Sequence, residues 1–321
     1  MKLYKKKLIK IKGDASFRSF YRKRINKKNS IIVYAKKEKK KNLLDYDAIN
    51  KLLIKNNILA PELYSKNYKN SFIEIEDFGN KTLFKLLKKR TKDRVNLFKK
   101  SIDLLNKIQK IKEKRIKNFN EKYYTIPLYD NKKLFNEAKL FCDWYVKKVL
   151  SKKKALYFNR LIKKEFNFLL KEIKLKNNTF VHRDFHVSNL MKYKNKIAII
   201  DTQDALFGNK AYDLASLIDD VRFQTSKNFK NMIYNYYLNL NKRNINKKFF
   251  ENDFEILSIL RNLKIIGIFT RLAVRDKKKK YLRLIPYAWK LIEMRTKNKK
   301  IFKGLKKLLD YNFSKKIRTK K

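Results

Sequence analysis

The sequence predicts an α+β protein of two lobes, a small β-rich amino-terminal lobe over residues 1–79 and a large, mainly helical carboxy-terminal lobe over 80–321. Three observations carry this. The first eighty residues read as β-β-β-α-β-β. After Gly79 the apolar residues recur at helical spacing over long stretches. Only five Gly and three Pro occur in 321 residues, which leaves few sites for sharp turns and favours helix.

In the first lobe, residues 8–12, 17–25 and 30–36 are rich in Ile, Val, Phe and Tyr, and they are separated by Gly13-Asp14-Ala15-Ser16 and by the polar run 26–29. Residues 43–56 follow a helical period that stops at Asn56-Asn57, ahead of Pro61. Residues 62–65 and 71–76 are two further strands around a polar turn, and 76–80 form the hinge to the second lobe. Beyond it, helices are expected over 82–89, 95–110, 133–150, 154–175, 212–221, 229–240, 254–270, 280–296 and 301–311, with short apolar strands at 180–182 and 197–200. The basic tail after about 312 is expected to fray.

Lys and Arg number 85 against 29 Asp and Glu, a formal charge of +56. A nucleic-acid footprint would be clustered and interleaved with aromatics. Here the lysines are diffuse, with local concentrations at 36–41, 277–280 and the tail, and Asn and Ile are also abundant. That pattern fits A/T-rich codons and solvated faces, so nucleic-acid binding is expected to be weak, nonspecific and salt-sensitive. Hydrophobic content of 44% and aromatic content of 14% argue for a full core and against disorder. One cysteine, Cys142, excludes an internal disulfide and a cysteine-rich zinc site. The basic start has no apolar run of a signal peptide, no window has the length of a membrane span, and a cytoplasmic location is expected.

Residues 181–204, VHRDFHVSNLMKYKNKIAIIDTQD, hold both histidines of the chain, and 197–209 carries two aspartates and no Lys or Arg. Phosphoryl transfer needs a carboxylate to orient a hydroxyl and take its proton, and oxygen ligands that hold Mg²⁺ against phosphates. Asp184 suits the first role, and Asn189 and Asp201 the second. Two antiparallel strands joined by a turn around 193–195 would bring the three to one edge. A metallohydrolase competes, since His182, Asp184 and His186 alternate as H-x-D-x-H, but such sites draw on more imidazoles and the chain has no third histidine. His182 reads as a packing residue that orients the loop, His186 as a contact to phosphate or substrate, and Asp213 as a structural acceptor at a helix start. Asp204 reads as a contact to metal or substrate, or as a turn cap.

His182-Arg183-Asp184 with Asn189 resembles the H-R-D-x-x-x-x-N catalytic loop of the protein-kinase-like superfamily. Asp201 is followed by Thr-Gln rather than Phe-Gly and no A-P-E segment occurs, so the chain is similar to the aminoglycoside phosphotransferase/choline kinase family. Within that family VHRDFHVSNLM, IDTQDALFGNKAYDLASLIDD, RNLKIIGIFTRL, GDASFRSFYR and DWY at 143–145 resemble bacterial kinases of the anomeric hydroxyl of N-acetylmuramate and N-acetylglucosamine. The resemblance implies a protein-kinase-like two-lobed fold, ATP and Mg²⁺ as cofactors, and a sugar as partner, in cell-wall sugar salvage. It implies a phosphate loop at Gly13 and Ser16, a phosphate-binding lysine at Lys36, and adenine contacts at the backbone of Glu76 and Phe78. The D-F-G string at 77–79 precedes the catalytic loop and so is not the metal-binding one. Asp143 and Trp144, with Glu137 on the same helix, are the expected sugar platform. A basic acceptor lobe suits an acidic sugar and disfavours polycations. Choline-like acceptors and a catalytically idle kinase fold that binds RNA or an acidic partner are the other readings.

Overall fold

The computed structural model describes residues 8–11, 18–25, 28–89 and 93–320, so the expected phosphate loop with Gly13 and Ser16 lies outside the described residues. The chain divides into two compact units, Met1–Pro127 with Thr179–Phe207, and Leu128–Asn178 with Gly208–Lys321.

The first unit holds a five-stranded antiparallel sheet in the order β1-β2-β3-β5-β4, from β1 (Leu8–Ile11), β2 (Ser19–Ile25), β3 (Lys28–Tyr34), β4 (Leu63–Asn67) and β5 (Phe72–Glu76). Strand alternation sets its buried face. Ile31 lies opposite Ile75 and Val33 opposite Ile73, and all four pack with Leu43 and Tyr46 of α1 (Lys41–Lys55) and with Phe119. Each such side chain contributes roughly 1.5–3 kcal/mol on leaving water. The third strand ends at Tyr34, short of the expected 36, and Lys36 instead precedes a 3-10 turn, Lys37–Lys39.

After Gly79, where a φ of 79° requires glycine, come α2 (Leu83–Lys89) and α3 (Arg94–Ile108). A hairpin of β6 (Arg115–Lys117) and β7 (Tyr123–Thr125) was not expected, because three residues a side are too few to show a strand period. β8 (Thr179–Val181) pairs with β11 (Leu206–Gly208), and β9 (Leu190–Tyr193) pairs antiparallel with β10 (Lys196–Ile199). Lys194 and Asn195 between β9 and β10 both have positive φ (43° and 62°), as a two-residue hairpin turn demands. Backbone bonds fasten this hairpin to the segments beside the sheet: Ile199 N–H to the Leu59 carbonyl (2.8 Å) and Lys192 N–H to the Lys81 carbonyl (2.9 Å). Phe78, Met191 and Ala198 form a second apolar cluster with Leu59, Tyr193 and Ile200.

The second unit is helical: α4 (Asn131–Ala138), α5 (Lys147–Val149), α6 (Lys152–Lys171), α7 (Tyr212–Ile218), α8 (Lys227–Leu240), α9 (Lys247–Val274), α10 (Ile285–Thr296), α11 (Lys303–Asn312) and α12 (Lys315–Thr319). Caps fix the starts, with the Asp130 carboxylate accepting from Lys133 N–H (2.8 Å) and the Asn246 side chain from Phe249 N–H (3.1 Å). The single helix expected over 133–150 is broken by a π-helical turn, Phe141–Val146. α9 comes closest there: a Cβ on Gly267 would lie 2.3 Å from the Leu140 carbonyl carbon and oxygen. The π turn buries Phe141 and Tyr145 against Trp289 and Phe313, at centroid distances of 5.6–5.9 Å, and Trp289 Nε1–H donates to Tyr145 Oη (3.2 Å). Burial pushes the Cys142 thiol, in the same turn, up to about 12.

Two buried carboxylates tie the helices. Asp253 accepts from the backbone N–H of Lys174 and Leu175 (both 2.8 Å) and from Asn209 Nδ2 (2.7 Å). Asp219 meets Arg295 (2.9 Å), Lys230 (3.2 Å) and the Ser258 hydroxyl (2.6 Å), and although burial pushes its pKa up, Arg295 and Lys230 hold it below the usual carboxylate range. The tail does not fray as expected. Arg318 of α12 reaches Glu293 and Asp310 (both 2.8 Å) and lies over the Trp289 ring, which pins the segment. Among the described residues no helix is long and apolar enough to cross a membrane.

Candidate active site

β8 is buried along its length and delivers the chain into a tight loop. His182, 1% exposed, places Nε2 3.2 Å from the Ile200 carbonyl and so ties the loop to the end of β10. Burial, opposed by Asp184 and Asp201, lowers its pKa, which keeps the ring neutral and Nε2–H the donor. Arg183 turns the chain with a φ of 72° and sends Nη1 to the Asp204 carbonyl (3.3 Å).

The Asp184 carbonyl accepts two bonds, from His186 N–H (3.0 Å) and from Asn189 Nδ2 (3.1 Å). With its amide nitrogen committed there, Asn189 has Oδ1, a hard oxygen, without a hydrogen-bond donor among the described residues. The backbone of Asn189 closes the loop, because its carbonyl accepts from Ile200 N–H (3.0 Å). This bond sets Asn189 one residue from Asp201 across the hairpin.

Asp201 has a φ of 65°, a left-handed conformation that costs a non-glycine residue of order 1–3 kcal/mol and persists only where the surroundings over-determine it. They do. Thr202 is buried and its hydroxyl donates to Asn50 Oδ1 of α1 (2.5 Å), and Arg18 Nη2 donates to Asp201 Oδ1 (2.5 Å). Gln203 joins the network, taking Arg18 Nη1 on Oε1 (2.6 Å) and giving Nε2 to Asp204 Oδ2 (2.6 Å) and Asp201 Oδ1 (3.3 Å). Asp201 Oδ2 has no donor among the described residues, and the side chain is 39% exposed. One oxygen is therefore held by the protein and the other is open.

Nearby, Asp45 of α1 is pushed up to about 6 by burial, with Lys41 opposing and Asp204 reinforcing. The Tyr124 phenol is raised by burial and by Asp45 and Asp204. Acidic groups thus crowd the Asp204 side of the site. A divalent cation fits the donor set, since Mg²⁺ takes few protein oxygens, and Asn189 Oδ1 and Asp201 Oδ2 are hard donors left open. Among the described residues no group of three or more His, Cys, Asp or Glu is arranged to hold a metal, which leaves the H-x-D-x-H reading without a ligand cage.

Asp184, His186, Asn189, Asp201 and Asp204 are thus gathered in the first unit, with His186 4% exposed and its backbone bracing the loop on both sides. Lys36 is exposed, and its side chain makes no hydrogen bond or ion pair with the described residues. At the hinge segment the Glu76 N–H is taken by the Glu62 carbonyl (2.9 Å), while the Phe78 ring lies 4.8 Å from that of Tyr193. Asp77 of the D-F-G string has a structural partner, Arg22 Nη2 (2.9 Å), and the same guanidinium reaches Asn80 Oδ1 (3.0 Å) and the Gly79 carbonyl (3.2 Å). Asp143 and Trp144 belong to the second unit, on the π turn. Trp144 is half-buried and has no ring partner among the described residues, unlike Tyr145 beside it, and Asp143 lies 3.8 Å from Lys139. Glu137 bonds Lys264 Nζ (2.7 Å) and the Tyr129 hydroxyl. Sequence reasoning missed Arg18, Gln203, Asn50 and Tyr124; Arg18 stood inside the GDASFRSFYR string.

The family model described as the phosphotransferase enzyme family matches residues 7–245. The N-acetylmuramate/N-acetylglucosamine kinase of Neisseria meningitidis serogroup B is 28% identical over 281 residues, 85% of this chain and 81% of that protein. The protein of the same name from Pseudomonas aeruginosa is 26% identical over 291 residues, 89% of this chain and 82% of its own length. Among solved structures, an ethanolamine kinase of Plasmodium vivax covers 90% of this chain and 82% of its own, with TM-score 0.58 at 15% identity. The amicoumacin kinase hAmiN, in complex with AMP-PNP, Ca²⁺ and Ami, covers 90% and 89%, with TM-score 0.59 at 12% identity. These likenesses show a protein-kinase-like fold.

Proposed function

Because the chain belongs to the phosphotransferase enzyme family and is a small-molecule phosphotransferase, we propose that it transfers the γ-phosphoryl group of ATP to the anomeric hydroxyl of N-acetylmuramate or N-acetylglucosamine. The observation that carries the reading is the braced triad in the first unit, where the Asn189 amide nitrogen is spent on the Asp184 carbonyl while Asn189 Oδ1 and Asp201 Oδ2 are left open. Such an arrangement supplies a base on the loop after β8 and two oxygen ligands at the open end of the β9–β10 hairpin it leads into, which is what transfer through a loose transition state needs from a protein.

In this mechanism Asp184 hydrogen-bonds the acceptor hydroxyl, points its oxygen at the γ-phosphorus and takes the proton as the new P–O bond forms and the bond from the γ-phosphorus to the β,γ-bridging oxygen breaks, with ADP as the leaving group. Asn189 and Asp201 would hold a Mg²⁺ ion, which would supply neutralisation of the charge on the phosphate oxygens. Neutral His182 keeps the loop in register without competing for the proton. Glu76 and Phe78 take the adenine edge by their backbones, the half-exposed Trp144 and Asp143 serve the sugar ring and its hydroxyls, and Asp204 and His186 complete the acceptor side. The relatives named for these two amino sugars, with 24–28% identity to this chain, support the choice of acceptor.

A panel of amino sugars, hexoses, choline and ethanolamine, read for ATP consumption and by phosphorus NMR for the position of the new phosphate, tests the proposal. Transfer to carbon 1 of an N-acetylated amino sugar is expected, and Asp184→Ala is expected to abolish it while nucleotide still binds. Transfer only to choline or ethanolamine, or full turnover by the alanine variant, would overturn it.

A further inference from the structure

We propose that Arg18 is the positioning residue of this site, the cation that holds Asp201 with one oxygen turned inward and one outward, and that stands beside the nucleotide phosphates. The inference rests on the reading of Asp201 as a metal ligand and goes beyond it. Superfamily resemblance assigns the phosphate-side cation to a lysine on the third strand, but here Lys36 falls beyond that strand and is exposed. Arg18, at the entry to β2, is the reverse. Its side chain is 3% exposed, and its fork closes on Asp201 Oδ1 at 2.5 Å and Gln203 Oε1 at 2.6 Å. The guanidinium also lies 5.5 Å from the ring centroids of both Phe20 and Tyr46, so its plane is fixed by packing as well as by hydrogen bonds.

Three consequences follow from this geometry. Asp201 sits in a left-handed backbone conformation, and a bond to one carboxylate oxygen sets the rotation of the side chain that the backbone alone leaves open. Oδ2 is then the oxygen presented to a cation, and Arg18 blocks bidentate use of the carboxylate. Gln203, bonded to Arg18, Asp201 and Asp204 together, relays the same constraint to Asp204, so the guanidinium orders both acids of the D-T-Q-D segment. A positive charge this close to the ligand oxygen also offsets the repulsion between Asp201 and an incoming polyphosphate. Lysine cannot reproduce this, because it lacks the planar fork that meets Oδ1 and Oε1 at once.

The test uses Arg18→Gln and Arg18→Lys in the full chain, with Asp201→Asn as the reference for the underlying reading. Mn²⁺ binding is followed by EPR and nucleotide binding by the fluorescence of mant-ATP, each titrated with the metal, alongside steady-state kinetics. Loss of charge-assisted bonds predicts that Arg18→Gln raises the metal midpoint and the KM for ATP by about 10- to 100-fold while the acceptor KM stays within about twofold. Arg18→Lys is expected to recover only part of that. Arg18→Gln titrating like the unaltered protein, while Asp201→Asn loses the metal dependence, would sink the inference and leave the metal site standing. An unchanged Asp201→Asn titration would instead remove the reading on which it rests. Should the glutamine variant fail to fold, the lysine variant decides: a midpoint displaced threefold or more supports the assignment, and an unshifted midpoint overturns it.

Discussion

Gly267→Ala is the sharpest perturbation the second unit offers. An alanine Cβ at this position would lie 2.3 Å from the carbonyl carbon and oxygen of Leu140 and 2.6 Å from Phe141 N, where ordinary contact begins at 3.4 Å. The obstacle is backbone on both sides, so no side chain can swing away, and α9 or the π turn must retreat by about 1 Å. Two terms compete. Alanine is about 1 kcal/mol better than glycine inside a helix. Overpacking a rigid interior costs about 1–3 kcal/mol and sometimes more, and an immovable backbone puts this case at or beyond the upper end. The net expectation is a loss of about 2 kcal/mol, which for a chain of this size lowers Tm by about 4 °C. The shift falls on the turn that carries Asp143 and Trp144, so the acceptor KM should rise while mant-ATP affinity does not. Thermal melting by circular dichroism and a two-substrate kinetic matrix measure both. A Tm equal to or above that of the unaltered protein would mean that propensity wins and that the close approach of α9 does not set the π turn.

Asp253→Asn keeps the shape of a buried carboxylate that accepts from Lys174 and Leu175 N–H and from Asn209, but it turns one acceptor into a donor facing a donor. Urea unfolding should show a loss of about 3 kcal/mol at unchanged m-value; a midpoint within error of the parent would refute the anchor. Asp45 carries a pH signature. Its folded pKa is raised to about 6 by burial, with Lys41 opposing and Asp204 adding, so the folded state holds its proton more tightly than the unfolded chain. Stability is therefore lost as pH rises from about 4 through about 6, and Asp45→Asn should raise Tm at pH 7.5 but not at pH 4. An equal gain at both pH values would locate the effect elsewhere. Thr202→Val removes the buried hydroxyl that anchors the left-handed Asp201 and leaves Asn50 Oδ1 without its donor. It should cost about 1–3 kcal/mol of stability and weaken the metal titration, and a change in only one of the two would disprove the coupling.

The proposed triad drew attention in the sequence because the chemistry of phosphoryl transfer constrains its spacing. A base, an amide oxygen and a second carboxylate around one cation allow few arrangements, and Asp184, Asn189 and Asp201 stood out against a chain crowded with lysine. Arg18 was hidden for the same reason in reverse. Among 85 basic residues one more cation carries no signal, and only the fold reveals which is buried against a carboxylate. The runs 17–25 and 30–36, rich in Ile, Val, Phe and Tyr and broken by polar residues, announced the sheet. The β6–β7 hairpin could not be read, because its three-residue strands are too short to show a period. A π turn hardly disturbs the apolar pattern that marks a helix, so 133–150 read as one continuous element. The start of α9 was concealed because in 247–253 only Phe249 and Phe250 stand among charged and amide residues, too few to show a helical period, and the order of the tail by its charge: Arg318 is held by two acids and an indole, none adjacent in sequence.

Cys142 sits 1% exposed in the π turn, with its thiol pushed up to about 12. Aromatic disulfide reagents meet almost no thiolate and no accessible sulfur while the chain is folded. The native molecule is in effect a cysteine-free background, onto which a dye or spin label can be placed at any engineered surface thiol without first removing the resident one. The same sulfur is also a clock. The rate at which Ellman's reagent reaches it in the parent chain reports how often the packing around α9 opens, and Gly267→Ala should make it run faster.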